Sequence, residues 1–249
     1  ARRHARNPAR HHRARIGATM SELRALLSDS TERVLASNPD WAAIENAGLT
    51  KVLVSEDEGG FGGTWEDAFV VVRACGAHAI DHPIAEAILD SANVDDRDLY
   101  SAMMLSAKMA GALNAALDLS VQYTRERQQF GKPLASFQAI QQQLAVFAEE
   151  AAAADLAAAS AFRAADRGDA WFEIACAKLR ANQAARISIS IAHQVHGAMG
   201  FTAEYRLQHL TKRLWAWGSE HGNERYWADR IGARIAARGP ENFWPDLVG

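Results

Sequence analysis

Several groups of residues in this 249-residue sequence have the types and spacing that chemistry needs. Arg125, Arg127 and Lys132 surround Gln128-Gln129-Phe130-Gly131, a cationic stretch whose donors suit phosphate oxygens while the Phe130 ring lies against another aromatic. The same residues also read as a charged helix end with a glycine stop. Trp215, Trp217, Glu220, His221, Trp227 and Trp244 crowd the C-terminal region. They are either packing anchors or the walls of a pocket around Glu220, where desolvation would push a carboxylate toward the basicity of a useful general base. His193 and His196, with His209 and His221 further on, invite a metal. However, Gln194 stands where a zinc-protease motif has glutamate and no cysteine is near, so no metal is expected. Gly59-Gly60-Phe61-Gly62-Gly63 could bring backbone amides to a phosphate, but Glu56, Asp57 and Glu58 precede it and repel an anion. The expected reading is a tight turn into a helix capped by Thr64, with Asp67 completing a capping box.

The elements that must position these residues are helices. From Met20, Leu23, Leu26, Leu27, Val34 and Leu35 predict helix, turn and helix, closed by Asn38-Pro39. Asp40 caps a short helix over Trp41–Ala47, ended by Gly48, and Lys51–Val54 is a connector too short to found a sheet. An apolar helix over Trp65–Gly76 and another from Ile84 to Leu89 follow, and the polar run Ser91–Asp98 is the internal boundary. Beyond it Leu99, Met103, Ala110, Leu113, Leu117 and Val121 mark a long helix ended at Tyr123–Arg127. Phe137, Ile140, Leu144, Phe147 and Ala151 mark a second, reaching about Asp166. Phe172, Cys176, Leu179, Ile187 and Ile191 form the stripe of a third, ended at Gly197–Gly200, and shorter helices cover Tyr205–Trp217 and Asn223–Ala237. The fold class is therefore all-α: an N-terminal helical domain over 20–92, then an antiparallel four-helix-type bundle over 93–240 and a tail over 241–249.

Charge separates the first nineteen residues from the rest. The chain has 27 Lys and Arg against 30 Asp and Glu, a net charge of -3. Arg2, Arg3, Arg6, Arg10, Arg13 and Arg15 come with three His and no acid in 1–19, leaving the remainder at -9. This arm is expected to be disordered, as upstream sequence before a start at Met20 or as a transit-like segment, and the acidic body predicts no nucleic-acid binding. No apolar run approaches the roughly 18 residues of a membrane span, and Cys75 and Cys176 are too few for a disulfide framework. A cytoplasmic protein is expected.

Tyr123-Thr-Arg-Glu-Arg-Gln-Gln-Phe-Gly-Lys-Pro-Leu134 with Ser136-Phe-Gln-Ala-Ile-Gln141 resembles the flavin-binding turn and helix of acyl-CoA dehydrogenases. Gln194-Val-His-Gly-Ala-Met-Gly-Phe201 resembles that family's second signature, and Gly59–Gly63 resembles the glycine turn of its N-terminal helical domain. The resemblance covers Met20 to Gly232 in family order, and three ordered motifs are more specific than any one. It implies FAD as cofactor, with Arg127 at its pyrophosphate and Phe130 near its adenine half, typically across a subunit interface, and Gln129 in the same set. Gln138 would hydrogen-bond the FAD of a neighbouring subunit, and Gln194, Gly197 and Ala198 would border its diphosphate. The family's usual double glycine reads Gly197-Ala198 here.

The implied reaction is α,β-dehydrogenation of an acyl-CoA thioester, with electrons passing on to an electron-transferring flavoprotein. Glu220 is the carboxylate nearest the family's base position, aligned at Gly218, and is assigned that role; the alternative position falls near Ser101, which cannot serve. Family members also insert a β-barrel between the N-terminal helices and the bundle, a stretch compressed here to Ser91–Asp98. Two readings follow: a flavoenzyme, or a noncatalytic or degenerate helical subunit that pairs with a complete dehydrogenase. Both require a homo- or hetero-oligomer.

Overall fold

The computed structural model describes residues 24–242 and 244; the expected arm 1–19, Met20, Leu23 and most of the 241–249 tail lie outside them. The first described helix, α1 (24–36), runs unbroken where a turn was expected. Ser28, Asp29 and Ser30 favour turns locally, but no Gly or Pro interrupts the segment, and Leu35 and Thr31 are buried against the core. Asp40 then caps α2 (Trp41–Asn46), accepting from Ala43 N at 2.8 Å. The glycine run is the expected turn. The amides of Gly60, Phe61, Gly62 and Gly63 all donate to carbonyls of 51–55, so none points at a ligand. A Cβ on Gly60 would stand 2.2 Å from the Val54 carbonyl, which is why this turn needs glycine.

Thr64 and Asp67 form the capping box of α3 (Trp65–Ala77). A second carboxylate reaches the same helix end from far along the chain: Asp166 accepts from Trp65 N at 2.7 Å and Glu66 N at 3.0 Å. Helix α4 (Ile84–Ala92) ends at Asn93 in the left-handed region, and Asp96 immediately caps α5 (Arg97–Glu126).

Helix α5 is about 45 Å long at 1.5 Å per residue and is the axis of the molecule. The sequence suggested one apolar face, yet residues 102–113 are buried on every side, because α3, α6, α7 and α8 all pack on it. Such envelopment needs small residues. Gly76 of α3 and Gly111 of α5 let the two backbones touch: a Cβ on Gly76 would stand 1.8 Å from Lys108 O, and one on Gly111 1.9 Å from Arg73 O. One apolar cluster accordingly runs from Leu35 through α3, α4 and the start of α5 to Trp227, joining residues on both sides of Ser91–Asp98.

A short hairpin leads out of α5, β1 (Gln128–Gln129) antiparallel to β2 (Lys132–Pro133), and α6 (Gln138–Ala165) and α7 (Trp171–His196) complete the long antiparallel helices. A 3₁₀ turn over Gly197–Phe201 leads to α8 (Arg206–Ser219), and Asn223 caps α9 (Glu224–Arg238). Two periodicity readings need correction. Phe137, Ile140 and Leu144 of α6 are only half-buried, whereas Phe147 and Ala151 reach the core. In α7 the large residues Phe172, Cys176, Leu179, Ile187 and Ile191 are also half-buried; the core face is Ile174, Ala177, Ala181, Ala184, Ser188 and Ala192. Helices packed this closely take alanine at the contact and displace bulky side chains to its margins. Among the described residues no helix is long and apolar enough to cross a membrane.

Candidate functional site

The hairpin is specified by its turn. Phe130 (φ +52°) and Gly131 (φ +78°) are both left-handed, as a two-residue type I′ connection requires, and Gln129 pairs with Lys132. Leu134 N closes it onto Arg127 O at 2.8 Å. Phe130 is 92% exposed, touching only the edge of Phe137, over which Lys132 Nζ sits at 4.3 Å. Arg125 and Arg127 are exposed and pair with no carboxylate among the described residues. A rigid turn thus presents unneutralised guanidinium groups and an aromatic face to solvent, the donor set expected at a diphosphate and its base.

The second signature lies at the same end of the bundle. The ring of Tyr123, near the end of α5, stacks on His196 at the end of α7 with centroids 4.5 Å apart. Gly197 turns the chain at φ +58°, ψ −140°, leaving Gln194, Gly197 and Ala198 exposed. His193 and His196 are structural here. His193 Nε2 meets Thr211 Oγ1 at 3.1 Å and its ring stacks on Phe201, while His196 donates from Nδ1 to Ala192 O at 2.8 Å. Burial lowers both histidines' proton affinity. Gln138, the first residue of α6, is exposed beside the hairpin. The seven residues expected at a cofactor therefore share one end of the bundle, and their exposed donors fit the anionic half of FAD.

Glu220 is elsewhere. It ends α8, about 21 Å along that 14-residue helix from the turn that starts it. The tryptophans do not wall it in: Trp217 and Trp227 are core residues, Trp215 and Trp244 are each 69% exposed, and Glu220 itself is exposed. The desolvated pocket considered from sequence is therefore missing, because a residue capping a surface helix end stays in water. Its side chain makes no hydrogen bond among the described residues.

The loop Glu220-His221-Gly222 is nevertheless fixed in place. Lys178 of α7 has no solvent exposure and donates from Nζ to Asn182 Oδ1 (2.8 Å), Trp217 O (2.8 Å) and Gly222 O (3.1 Å). Asn182 Nδ2 also donates to Gly222 O, and Trp227 Nε1 donates to His221 O at 3.0 Å. His221 (φ +49°) and Gly222 (φ +98°) are both left-handed, and a Cβ on Gly222 would stand 2.4 Å from Tyr226. Burial pushes the Lys178 ammonium down to about 7, against the opposing pull of Glu220. Sequence reasoning did not find Lys178, Asn182 or Asp98, which bonds His221. A signal existed for the first two: polar residues four apart on the alanine face of α7, where the register predicts core.

The all-α fold thus carries an exposed cationic hairpin and a glycine turn at one end of the bundle. The sequence model of the acyl-CoA dehydrogenase C-terminal domain matches residues 99–236, more than half of the chain, which therefore belongs to the acyl-CoA dehydrogenase family. Acyl-CoA dehydrogenase FadE34 of Mycobacterium tuberculosis is 33% identical over 189 residues, covering 72% of this chain and 27% of that protein. Acryloyl-CoA reductase (NADH) of Anaerotignum propionicum is 38% identical over 107 residues, 43% of this chain and 27% of the relative. This chain thus spans about a quarter of the length of these curated relatives. Among solved structures, a steroid ACAD variant superposes with a TM-score of 0.80 at 16% identity, over 88% of this chain and 99% of the other; this similarity concerns the fold alone. A glutaryl-CoA dehydrogenase bound to glutaryl-CoA gives 0.53 at 28% identity, over 60% and 37%.

Proposed function

We propose that this chain acts in FAD-dependent α,β-dehydrogenation of an acyl-CoA thioester. The observation that carries the reading is the hairpin of Arg127, Gln129 and Phe130, held rigid and without a counter-charge beside Gln138, Gln194, Gly197 and Ala198. These residues would hold the adenine and diphosphate half of the cofactor. When bound, FAD accepts the hydride leaving the β carbon. Proton removal falls to the loop after α8, where Glu220 is the carboxylate that the family resemblance supplies.

Because hairpin and loop lie at opposite ends of α8, the reading pairs the hairpin of one subunit with the loop of another, and so requires an oligomer. It also places the reaction in the cytoplasm, with an electron-transferring flavoprotein as acceptor; the free thiols of Cys75 and Cys176 are compatible with that compartment. Arg127→Ala tests the cofactor site. Losing a charge-assisted hydrogen bond of about 1.5–3 kcal/mol should weaken FAD binding at least tenfold, measured by flavin absorbance after desalting. Unchanged retention would remove Arg127 from the site.

The connection Asn93–Asp96 favours a second reading. It runs directly from the end of α4 to the cap of α5, so among the described residues no β-barrel lies between these two helices. In this reading the chain is a noncatalytic helical partner of a complete dehydrogenase. A protein that retains no flavin alone but co-purifies in fixed stoichiometry with such a dehydrogenase would establish it.

A further inference from the structure

His221 stands on the clamped loop, and its Nδ1 lies 2.6 Å from Oδ1 of Asp98 in the first turn of α5. A carboxylate only accepts, so Nδ1 carries the hydrogen and the neutral ring keeps its lone pair on Nε2. The imidazole retains 39% of its side-chain exposure, so the ring is still accessible. Its backbone is held in the left-handed region, a conformation that non-glycine residues rarely adopt. Three side chains hold the loop there: Lys178 and Asn182 at Gly222 O, and Trp227 at His221 O. An imidazole ordered by a carboxylate, on a strained loop whose carbonyls are tied down, is built to present one nitrogen in a set direction. It also opens on the side of the Asn93–Asp96 junction, since Asp98 lies only two residues beyond the cap of α5.

Resting on the dehydrogenation reading, we propose that the proton acceptor of this loop is His221, with Asp98 as its positioning residue, rather than the neighbouring Glu220. In the step assigned to it, Nε2 takes the α proton of the thioester. The Cα–H bond breaks, the N–H bond forms, and the electron pair passes to the thioester oxygen as an enolate. With FAD held by the hairpin residues, the cofactor would supply the hydride acceptor for the β hydrogen, and the enolate's electron pair would then form the new double bond. The imidazolium formed is stabilised by Asp98. Asp98 of α5 bonds the ring, Glu220 is its neighbour in the loop, and Lys178 of α7 lies 3.1 Å from the next carbonyl; from α9 the Trp227 indole donates to His221 O, and Glu224 and Arg225 stand in its first turn.

Two measurements test this on the full chain. In the protein alone, nitrogen-15 NMR of the histidine rings reports which nitrogen of His221 carries the hydrogen. The expected result is Nδ1–H with a bare Nε2, and loss of that fixed tautomer in Asp98→Asn; an Nε2–H ring in the parent overturns the proposal. Next, FAD and butyryl-CoA retention are measured, and then exchange of the butyryl-CoA α hydrogen with deuterium oxide. His221→Gln should slow exchange by at least about 100-fold while FAD retention is unchanged. Exchange at the parent rate in His221→Gln, with loss in Glu220→Gln, overturns it in favour of the carboxylate. If the parent retains neither FAD nor butyryl-CoA, the dehydrogenation reading fails separately. The reactivity of the bare nitrogen then decides: ethoxyformylation of His221 that slows at least threefold in Asp98→Asn supports the dyad, and a His221 that resists the reagent in the parent overturns it.

Discussion

At the scale of the residue, Lys178 shows how a buried charge is made tolerable. Its three ammonium hydrogens meet three acceptors, so the cost of desolvation is offset by complete hydrogen bonding. With its pKa lowered to about 7 from 10.5, the folded chain has already released this proton over a range where the unfolded chain still holds it. The unfolded state binds more protons there, so this group raises stability as pH increases from about 7 toward 10.5, by at most about 1.4 kcal/mol per pH unit. Below that window both states are protonated and the slope vanishes. Lys178→Met should remove the slope and, by leaving Trp217 O without its side-chain donor and Gly222 O with Asn182 alone, cost roughly 1–3 kcal/mol at pH 7. Thermal melts of both proteins between pH 6 and 10 check this; a parent with a flat profile would contradict it.

At the scale of the element, the crossing of α3 and α5 depends on two missing side chains. Gly111→Ala must push Arg73 O away or separate the helices, and overpacking of this kind costs about 1–3 kcal/mol or more. Urea unfolding should show the loss, whereas Gly232→Ala, with nothing within 4 Å of its added Cβ, should be neutral or slightly stabilising. Such contacts also decide what a sequence discloses. The caps were legible at Asp40, Thr64 and Asp67 because capping is local chemistry written within four residues. The inner face of α7 was not, since Ala177, Ala181 and Ala184 carry too little hydrophobicity to mark it, while Ile187 and Ile191 draw attention to its margin. For the same reason the hairpin residues could be found by motif, whereas the bond from His221 to Asp98 spans 123 positions and exists only after α5 and α8 have packed.

At the scale of the whole molecule, exposed apolar side chains accompany the cationic hairpin at its end of the bundle. Phe130, Met199 and Phe201 are 92%, 46% and 64% exposed, in an assembly where the proposed cofactor would lie between subunits. Light scattering after size exclusion should therefore find a dimer or larger species, stabilised by added FAD, and Arg127→Ala should weaken the FAD dependence. A monomer at all flavin concentrations would remove the shared-cofactor arrangement. The envelopment of α5 has a further consequence, in the order of synthesis. That helix leaves the ribosome with α3 and α4 already made but with α6, α7 and α8 still to come, so its residues 102–113 must wait in water for partners that arrive last. A chain halted after Glu126 would display an uncovered apolar rod, making the nascent first half a client for chaperones and an early target of proteolysis, whereas the finished protein hides that surface completely.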